Sequence, residues 1–358
     1  MNLNLRNGLR RIVLFAVALA TLALPMNASI AGTVETSAKK IRFWVPHRPE
    51  NPFNKRLLDN FSKRVRERSA GSLEVLVEFD MDEHQEGALN RVLVGEKEMS
   101  QVAVDRMTRI NHKLDVLDMP LMFRGHEHAE KVLDGKIGKE LLHAISTGSN
   151  GHIKGMGFTY SGGVRVIYGL QNLTSLSDLV GKKMRLRGGR AGQDMMDHLG
   201  LKFTFGPYKD WFFKAHLNGE IDAEEVELNR VAAYKSSAPA SFAKIQSVLE
   251  TNHSLYLTAL LVNGEFFNSL NAKQKQVLQE EIEKFAKDER NSSIEQAAAS
   301  RESLMKDGIK INTLSPGDQR TLKKIGAVVR KKYSEELGSL MKRIEAVSSD
   351  NRLFLSGR

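Results

Sequence analysis

The chain has 358 residues, no cysteine and a formal net charge of +10. Without cysteine it cannot form disulfides, use a thiolate nucleophile or build most structural zinc sites, so its stability must come from core burial. Its length exceeds what one hydrophobic core usually organises, which predicts two lobes. The basic residues are interleaved with acidic ones, a pattern that favours a solvated surface with a bias toward anionic ligands and argues against nucleic-acid binding.

The first 31 residues have the features of an export signal. Three arginines precede an apolar run from Ile12 to Leu24, and Ser29-Ile-Ala31 satisfies the small-residue rule for cleavage. The apolar run, at about 13 residues, is shorter than the roughly 20 that a transmembrane helix needs. We expect cleavage near Ala31 and a periplasmic mature chain, whose formal net charge falls from +10 to +7 because three arginines leave. An uncleaved N-terminal anchor is the alternative.

Strands and helices alternate in the next segment, which is typical of β-α-β units. Asn51 is a predicted N-cap and Pro52 the first position of the helix that follows. The predicted strands are 41–45, 73–79, 100–104 and 153–160, and the predicted helices are 53–68 and 88–94. Ser161-Gly-Gly163 then predicts a flexible crossing into a second lobe.

The second lobe repeats the alternation. Its predicted strands are 164–168, 182–185, 202–205 and 245–249, and its predicted helices are 176–180, 191–198 and 208–217. The chain is predicted to recross near Asn252, so the late strand 256–262 belongs to the first lobe. Residues 272–306 contain no Gly or Pro and predict a helix about 50 Å long, enough to pack on both lobes. Residues 321–347 predict a charged terminal helix that the core does not need.

We therefore predict an α/β protein with two lobes, a hinge and a long helix that spans both lobes. The predicted domains are a signal peptide (1–31), lobe I (40–161 plus 252–285), lobe II (162–251 plus 286–314) and a C-terminal helical extension (315–358). Two such lobes can close around a ligand like a hinge.

Two arginines stand out in the stretch from Gly162 to Gly188. Arg165 and Arg185 lie on short strand-like segments that are flanked by glycines. The planar guanidinium of arginine is always charged and matches a carboxylate with two hydrogen bonds, so the pair suggests a seat for a small anion. Two alternatives stay open: Arg185 could pair with an internal Asp or Glu, and Arg165 could be a surface residue on an edge strand. Arg187 is a possible rim residue.

Several motifs, in order, carry a family resemblance. They are Leu117-Asp-Met-Pro120, the stretch from Thr174 through Gly-Lys-Lys-Met-Arg185 to Gly188, Gly219-Glu-Ile-Asp222 and Thr251-Asn-His253. Their order and spacing over nearly the whole mature chain resemble the DctP-type extracytoplasmic solute receptors of TRAP transporters. The resemblance implies a receptor, not an enzyme, that captures a small organic acid and delivers it to TRAP-type membrane permease subunits. We expect a monomer, although the sequence does not reveal the oligomeric state. We predict no cofactor and no metal-binding site residue, and the sequence leaves open whether a metal bridges the ligand.

The resemblance also implies roles for particular residues. Arg185 corresponds to the family arginine that clamps the substrate carboxylate, and Arg165 to a second polar or cationic position. Glu225 matches a family glutamate, whereas Val226 replaces an asparagine that contacts substrate in relatives. Aromatic residues could form apolar walls. The predicted substrate-binding residues are Arg185, Arg165, Trp211, Glu225, Tyr160 and Phe158, with Phe205 and Phe213 as further aromatic candidates and core packing as the alternative for each ring.

Enzyme motifs are lacking. His126-Glu-His128 does not place two histidines at i and i+4, and the sequence has neither a phosphate loop nor a G-x-S-x-G elbow. The acidic stretch 80–86 does not have the ligand spacing of a calcium loop. Weaker ligand candidates are His47, Arg48, Asn51, Asp105 and Arg106. The leading functional alternative is a receptor that signals ligand occupancy to a membrane sensor instead of feeding transport.

Overall fold

The computed structural model describes residues 37–45, 52–79, 85–185, 189–204 and 210–348, and over these strands and helices alternate as predicted. The strands are β1 (Lys39–Val45), β2 (Leu73–Phe79), β3 (Met99–Ala103), β4 (Ile153–Gly169), β5 (Lys183–Arg185), β6 (Lys202–Thr204), β7 (Ala223–Glu227), β8 (Ser247–Glu250), β9 (Leu255–Asn263) and β10 (Lys310–Thr313). The helices are α1 (Pro52–Arg68), α2 (Gln85–Leu93), α3 (His126–Leu133), α4 (Lys136–Gly148), α5 (Arg190–His198), α6 (Asp210–Leu217), α7 (Leu228–Ser237), α8 (Pro239–Phe242), α9 (Gly264–Ser269), α10 (Ala272–Lys306), α11 (Pro316–Lys332) and α12 (Ser334–Glu345). The 3-10 helices are Val104–Arg106, His112–Asp118 and Leu176–Leu179.

The first sheet has the strand order β2-β1-β3-β9-β4. β1 pairs in parallel with β2 and β3, and β9 pairs antiparallel with β3 and β4. Ile41, Phe43 and Val45 are buried at every second position of β1, which places them on one face of the strand. The Phe43 ring lies 5.9 Å from Phe61 of α1 and 5.9 Å from Phe285 of α10, centroid to centroid. Helices α1 and α10 therefore cover this face of the sheet.

The second sheet shares β4 with the first. Its order is β4-β7-β5-β6, and β8 joins β4 on one side and β10 on the other. β7 pairs antiparallel with β4 and parallel with β5. The α/β class is confirmed, whereas the predicted lobe boundaries stay predictions.

The crossing between the sheets differs from the prediction. β4 is one strand from Ile153 to Gly169, where two strands separated by a flexible crossing are expected. Its pairing with β9 shifts register between Thr159 and Gly163. The kink has positive φ at Ser161 (49°), Gly162 (125°) and Gly163 (88°), and glycine adopts such angles at little cost.

Helix α10 holds this kink from the side. The Glu289 carboxylate accepts hydrogen bonds from the N–H groups of Tyr160 and Ser161, both at 2.8 Å, and Ser293 Oγ accepts one from the Gly162 N–H at 3.1 Å. These bonds replace ladder hydrogen bonds that the register shift removes. The predicted span of α10, 272–306, is confirmed, and Asn271 caps it in a capping box with Gln274.

Two helix predictions need correction. The segment 176–180 is one 3-10 turn rather than an α-helix. The terminal helix 321–347 is two helices, α11 and α12, which meet at Tyr333. This pair is not a dispensable surface addition, because seven of its residues pack into the largest core cluster, at 0–7% exposure: Leu322, Val329, Tyr333, Leu337, Leu340, Met341 and Ile344.

The sequence pattern predicts neither β7 nor β10, and the charges of β7 explain why that strand is missed. β7 reads Ala-Glu-Glu-Val-Glu, yet all five residues are buried. Three glutamates in five residues contradict the apolar pattern of an internal strand, so they must be neutralised by partners from elsewhere in the fold.

Among the described residues, no helix is long and apolar enough to cross a membrane.

Candidate functional site

The three glutamates of β7 organise the candidate site. Glu224, Glu225 and Glu227 are 0%, 3% and 0% exposed. Successive side chains of a strand point to opposite faces, so Glu225 and Glu227 share one face of the second sheet and Glu224 lies on the other. The register with β4 confirms this, because Arg165 lies opposite Glu227 and Tyr168 lies opposite Glu224.

Arg165 lies on the face of Glu225 and Glu227. Its Nη1 is 2.9 Å from Glu225 Oε1, its Nε is 3.7 Å from Glu227 Oε1, and its guanidinium lies 5.0 Å from the centroid of the Tyr256 ring. His253 Nε2 is 2.9 Å from the same Glu225 oxygen. Arg165 is therefore a buried cation held between two carboxylates and an aromatic ring.

The charges around Arg165 set its protonation. Burial alone would lower the pKa of Arg165, but the attraction of Glu225, Glu227, Asp118 and Asp105 outweighs burial and raises the pKa above its ordinary value. Arg165 is consequently charged at every physiological pH. Its charge is already balanced inside the protein, which weakens it as a clamp for a ligand carboxylate.

Arg185 lies on the opposite face. It ends β5, its Nη1 is 3.8 Å from Glu224 Oε1, and its guanidinium lies 5.6 Å from the centroid of the Phe212 ring. Its side chain keeps 14% exposure. An internal carboxylate does lie beside Arg185, as the alternative interpretation of this residue expects, although the 3.8 Å contact exceeds hydrogen-bond distance.

Tyrosines hold Glu224 in place. The hydroxyl groups of Tyr168 and Tyr234 each donate to Glu224 Oε2 at 3.0 Å. Tyr168 Oη also lies 2.9 Å from His216 Nε2. Burial lowers the pKa of His216 to about 4, so this imidazole is neutral at pH 7. A neutral His216 can donate from Nε2 to the Tyr168 oxygen while Tyr168 donates to Glu224.

The sheet thus separates the two arginines that the sequence suggests as one anion seat. Each arginine has its own glutamate, from adjacent positions of β7 that face opposite sides. The structure brings Arg165 together with Glu225, two of the predicted substrate-binding residues. It does not bring Arg165 together with Arg185.

Comparison with known proteins decides the family. The family model of the bacterial extracellular solute-binding proteins, family 7 (DctP), matches residues 46–336. The chain belongs to the DctP family. A solute-binding protein of Chromohalobacter salexigens is 26% identical to this DctP-family chain. The aligned region covers 82% of this chain and 84% of the relative.

A solved structure and a further relative are similar to this DctP-family member. A TRAP periplasmic solute-binding protein from Pseudomonas putida F1, crystallised with D-glucuronate, superposes with a TM-score of 0.77 at 25% identity, covering 87% of this chain and 99% of that one. The 2,3-diketo-L-gulonate-binding periplasmic protein of Escherichia coli is 24% identical over 61% of this chain and 64% of the relative. The predicted family and the two-lobed solute-binding fold are confirmed.

The predicted aromatic walls of this DctP-family protein lie in different surroundings. Phe158 and Tyr160 are 2% and 0% exposed inside the core, and Tyr160 Oη donates to the His126 carbonyl at 3.3 Å. Trp211 is half-buried, and its indole N–H donates to Glu220 Oε2 at 3.2 Å. Core packing is thus the observed role of Phe158 and Tyr160, while ligand contact by any of these rings stays a prediction. Other candidates lie outside the described residues: His47, Arg48, Asn51, Arg187, Phe205 and most of the stretch 80–86.

Sequence reasoning missed several residues of this arrangement. Tyr168, His216, Glu224 and Tyr234 read as ordinary strand and helix residues, and their only sequence signal is the run of glutamates in β7. Asp118 was part of a family motif but not a site candidate. Its Oδ2 accepts a hydrogen bond from the Gly189 N–H at 2.7 Å, which ties the 3-10 helix 112–118 to the start of α5.

One group of described residues has metal-ligand chemistry. Donor atoms of His112, Asp115 and Glu336 lie within 4.8 Å of one another. The Arg190 guanidinium, however, pairs with both Asp115 and Glu336. Because a cation already balances these carboxylates, the group fits an ion-pair cluster between α5, α12 and the 3-10 helix better than a metal site.

Proposed function

We propose that this protein is a periplasmic receptor that captures a small organic acid and delivers it to TRAP-type membrane permease subunits. The observation that carries the proposal is the DctP family match over residues 46–336. Two of the similar proteins are described with acids: the Pseudomonas putida protein with D-glucuronate and the Escherichia coli protein with 2,3-diketo-L-gulonate. Both support the organic-acid class for this chain.

Arg185 is the proposed partner of the ligand carboxylate. Its side chain keeps 14% exposure, compared with 3% for Arg165. Its contact with Glu224 is 3.8 Å, whereas Arg165 is held by Glu225 at 2.9 Å. Two tyrosine hydroxyls also share the negative charge of Glu224. Arg185 is therefore the more exposed of the two arginines, and a ligand carboxylate can approach it with two parallel hydrogen bonds.

Calorimetric titration of sugar acids, hydroxy acids, keto acids and dicarboxylates tests the clamp. Arg185→Ala should weaken the best acid at least about a hundredfold, since removing one partner of a desolvated charge pair costs roughly 3–5 kcal/mol. Arg301→Ala is the matched control, because Arg301 also pairs with one glutamate, Glu250, at 2.9 Å. Equal losses in both variants, or an unchanged affinity in Arg185→Ala, would remove Arg185 from the site.

Transport needs a separate experiment. Uptake of the same radiolabelled acid should require both this receptor and the permease subunits, and the acid recovered from the purified receptor should be chemically unchanged. Uptake that is independent of the receptor, together with ligand-dependent activation of a membrane sensor, would instead favour the signalling role.

A further inference from the structure

Helix α11 has one side in the core and the opposite side in solvent. Leu322 and Val329 are 0% and 1% exposed, and Gly326 packs so closely on Leu121 that a Cβ would lie 3.3 Å from the leucine Cδ1. The three helix positions recur at intervals of four and three, which places them along one side of α11. The core therefore fixes how α11 is rotated about its axis, and hence which side chains face outwards.

The outward side of α11 carries positive charge. Its exposed members are Arg320, Lys323, Lys324, Ala327 and Lys331. Positions 320, 324, 327 and 331 are separated by four, three and four residues, so they form one row, and position 323 lies beside it. The row extends over about 17 Å of helix at 1.5 Å per residue. We call these five residues the basic face.

The acidic and the remaining basic residues of α11 lie elsewhere. Its one acid, Asp318, precedes a buried leucine by four positions and so lies on the core side. Two other cations of the helix have partners inside the protein: Lys332 Nζ is 2.7 Å from Asp194 Oδ2, and Arg330 Nη1 donates to the Pro120 carbonyl at 2.6 Å. Only the basic face is thus left to act on something outside the protein.

Exposed lysines on other helices usually have an acid one turn away. Such pairs are Lys55–Asp59, Lys63–Glu67, Lys131–Glu127 and Lys284–Asp288. By contrast, the four cations of the basic face pair with no carboxylate among the described residues. Arg320 and Lys324 are even like charges at i and i+4, an arrangement that disfavours an isolated helix. A face of uncompensated like charges attracts an anionic partner.

The composition of the basic face indicates what kind of partner fits. It has no aromatic ring, and its apolar side chains are the small Ala327 and the adjacent Val328, which is 54% exposed. Interfaces between proteins are enriched in aromatic residues, Met and Arg and depleted of Lys. Three of the four cations are lysines, whose flexible point charges need no defined partner geometry. These properties favour a diffuse anionic lipid surface over a specific protein surface.

We propose that the basic face of α11 binds anionic lipid headgroups and so concentrates the protein reversibly at a membrane surface. Each Lys or Arg near an anionic membrane strengthens binding about fivefold, so four of them amount to several hundredfold at low ionic strength. Salt screens this attraction over a Debye length of about 8 Å at physiological ionic strength, which keeps the binding weak. The inference does not rest on acid binding, and its test is separate from that of the proposed function.

Co-sedimentation with lipid vesicles tests the proposal. Residues 32–358 are used, because the apolar run from Ile12 to Leu24 would itself enter lipid. Vesicles with about one third phosphatidylglycerol should bind the protein at least about tenfold more tightly than pure phosphatidylcholine vesicles at roughly 50 mM NaCl. The preference should disappear at roughly 500 mM NaCl, where the Debye length is only about 4 Å.

Two fourfold variants separate the basic face from net charge. The first removes the face and should weaken binding to the phosphatidylglycerol vesicles at least about tenfold. It carries Arg320→Gln, Lys323→Gln, Lys324→Gln and Lys331→Gln. The second removes as many charges from other helices and should weaken binding less than about threefold. It carries Lys55→Gln, Lys63→Gln, Lys131→Gln and Lys284→Gln. All eight residues are exposed or half-buried, and thermal unfolding checks that both variants are folded.

Three results would overturn the inference. Equal weakening in the two variants would assign the attraction to net charge rather than to α11. Equal binding to both kinds of vesicle would remove anionic lipid as the partner. Binding of soluble poly-glutamate as tightly as the phosphatidylglycerol vesicles, at equal charge concentration and salt, would favour an acidic protein partner instead.

Discussion

Asp118→Asn should stabilise the protein relative to the wild type as the pH rises from 5 to 8. The pKa of Asp118 is raised from 3.8 to about 7, mainly by burial. Between these two values the folded state holds a proton that the unfolded state releases. The stability that Asp118 contributes is therefore fully present below about pH 4 and is lost as the pH rises to about 7. Asparagine keeps an acceptor for the Gly189 N–H but cannot ionise.

The size of the effect follows from the shift. A shift of about three pKa units corresponds to about 4 kcal/mol at 1.36 kcal/mol per unit. About two of these three units lie between pH 5 and pH 8, and Asp118 keeps a small exposed surface, so we expect roughly 2 kcal/mol over this interval. The free energy of unfolding of the variant, relative to that of the wild type, should therefore rise by about this amount from pH 5 to pH 8.

Urea unfolding at pH 5, 6, 7 and 8 measures the effect as a difference between wild type and variant. The difference is needed because other groups titrate in the same range. Burial lowers the pKa of His126 and of His216 to about 4 each, and that destabilises the folded state as the pH falls below 6.5. These histidines are unchanged in the variant, so their contribution cancels. Parallel stability curves for the two proteins would refute the raised pKa of Asp118.

Two further predictions concern buried contacts. Arg165→Ala should lower the free energy of unfolding by roughly 3–5 kcal/mol, because it leaves Glu225 and Glu227 as buried uncompensated charges; a loss below about 1 kcal/mol in urea unfolding would contradict this. Ile344→Ala, at 0% exposure, should cost roughly 2–4 kcal/mol if the C-terminal helices belong to the core, whereas Val328→Ala, at 54% exposure, should cost little. If Ile344→Ala and Val328→Ala lowered the thermal stability equally, the C-terminal helices would not belong to the core.

Local features allowed much of the fold to be predicted. The strand 73–79 and the helix 272–306 have the predicted ends, because alternation, capping at Asn271 and the lack of Gly and Pro act within a few residues. The ordered motifs predicted the family, which the match over residues 46–336 confirms. Arg165 and Glu225 were both selected as candidates and do contact each other. Their roles toward a ligand stay predictions.

The sequence by itself determined the alternation of strands and helices, the long helix and the family, because those depend on neighbouring residues and on motif order. Only the tertiary structure decided which side of the second sheet each arginine occupies. Arg165 and Arg185 are 20 positions apart, and their faces are set by how β4, β5 and β7 pair. The same pairing made a strand of three glutamates possible, because its partners come from distant residues such as Tyr168 and His253. No local pattern encodes these contacts, since a buried charge is tolerated only when a partner reaches it through the fold.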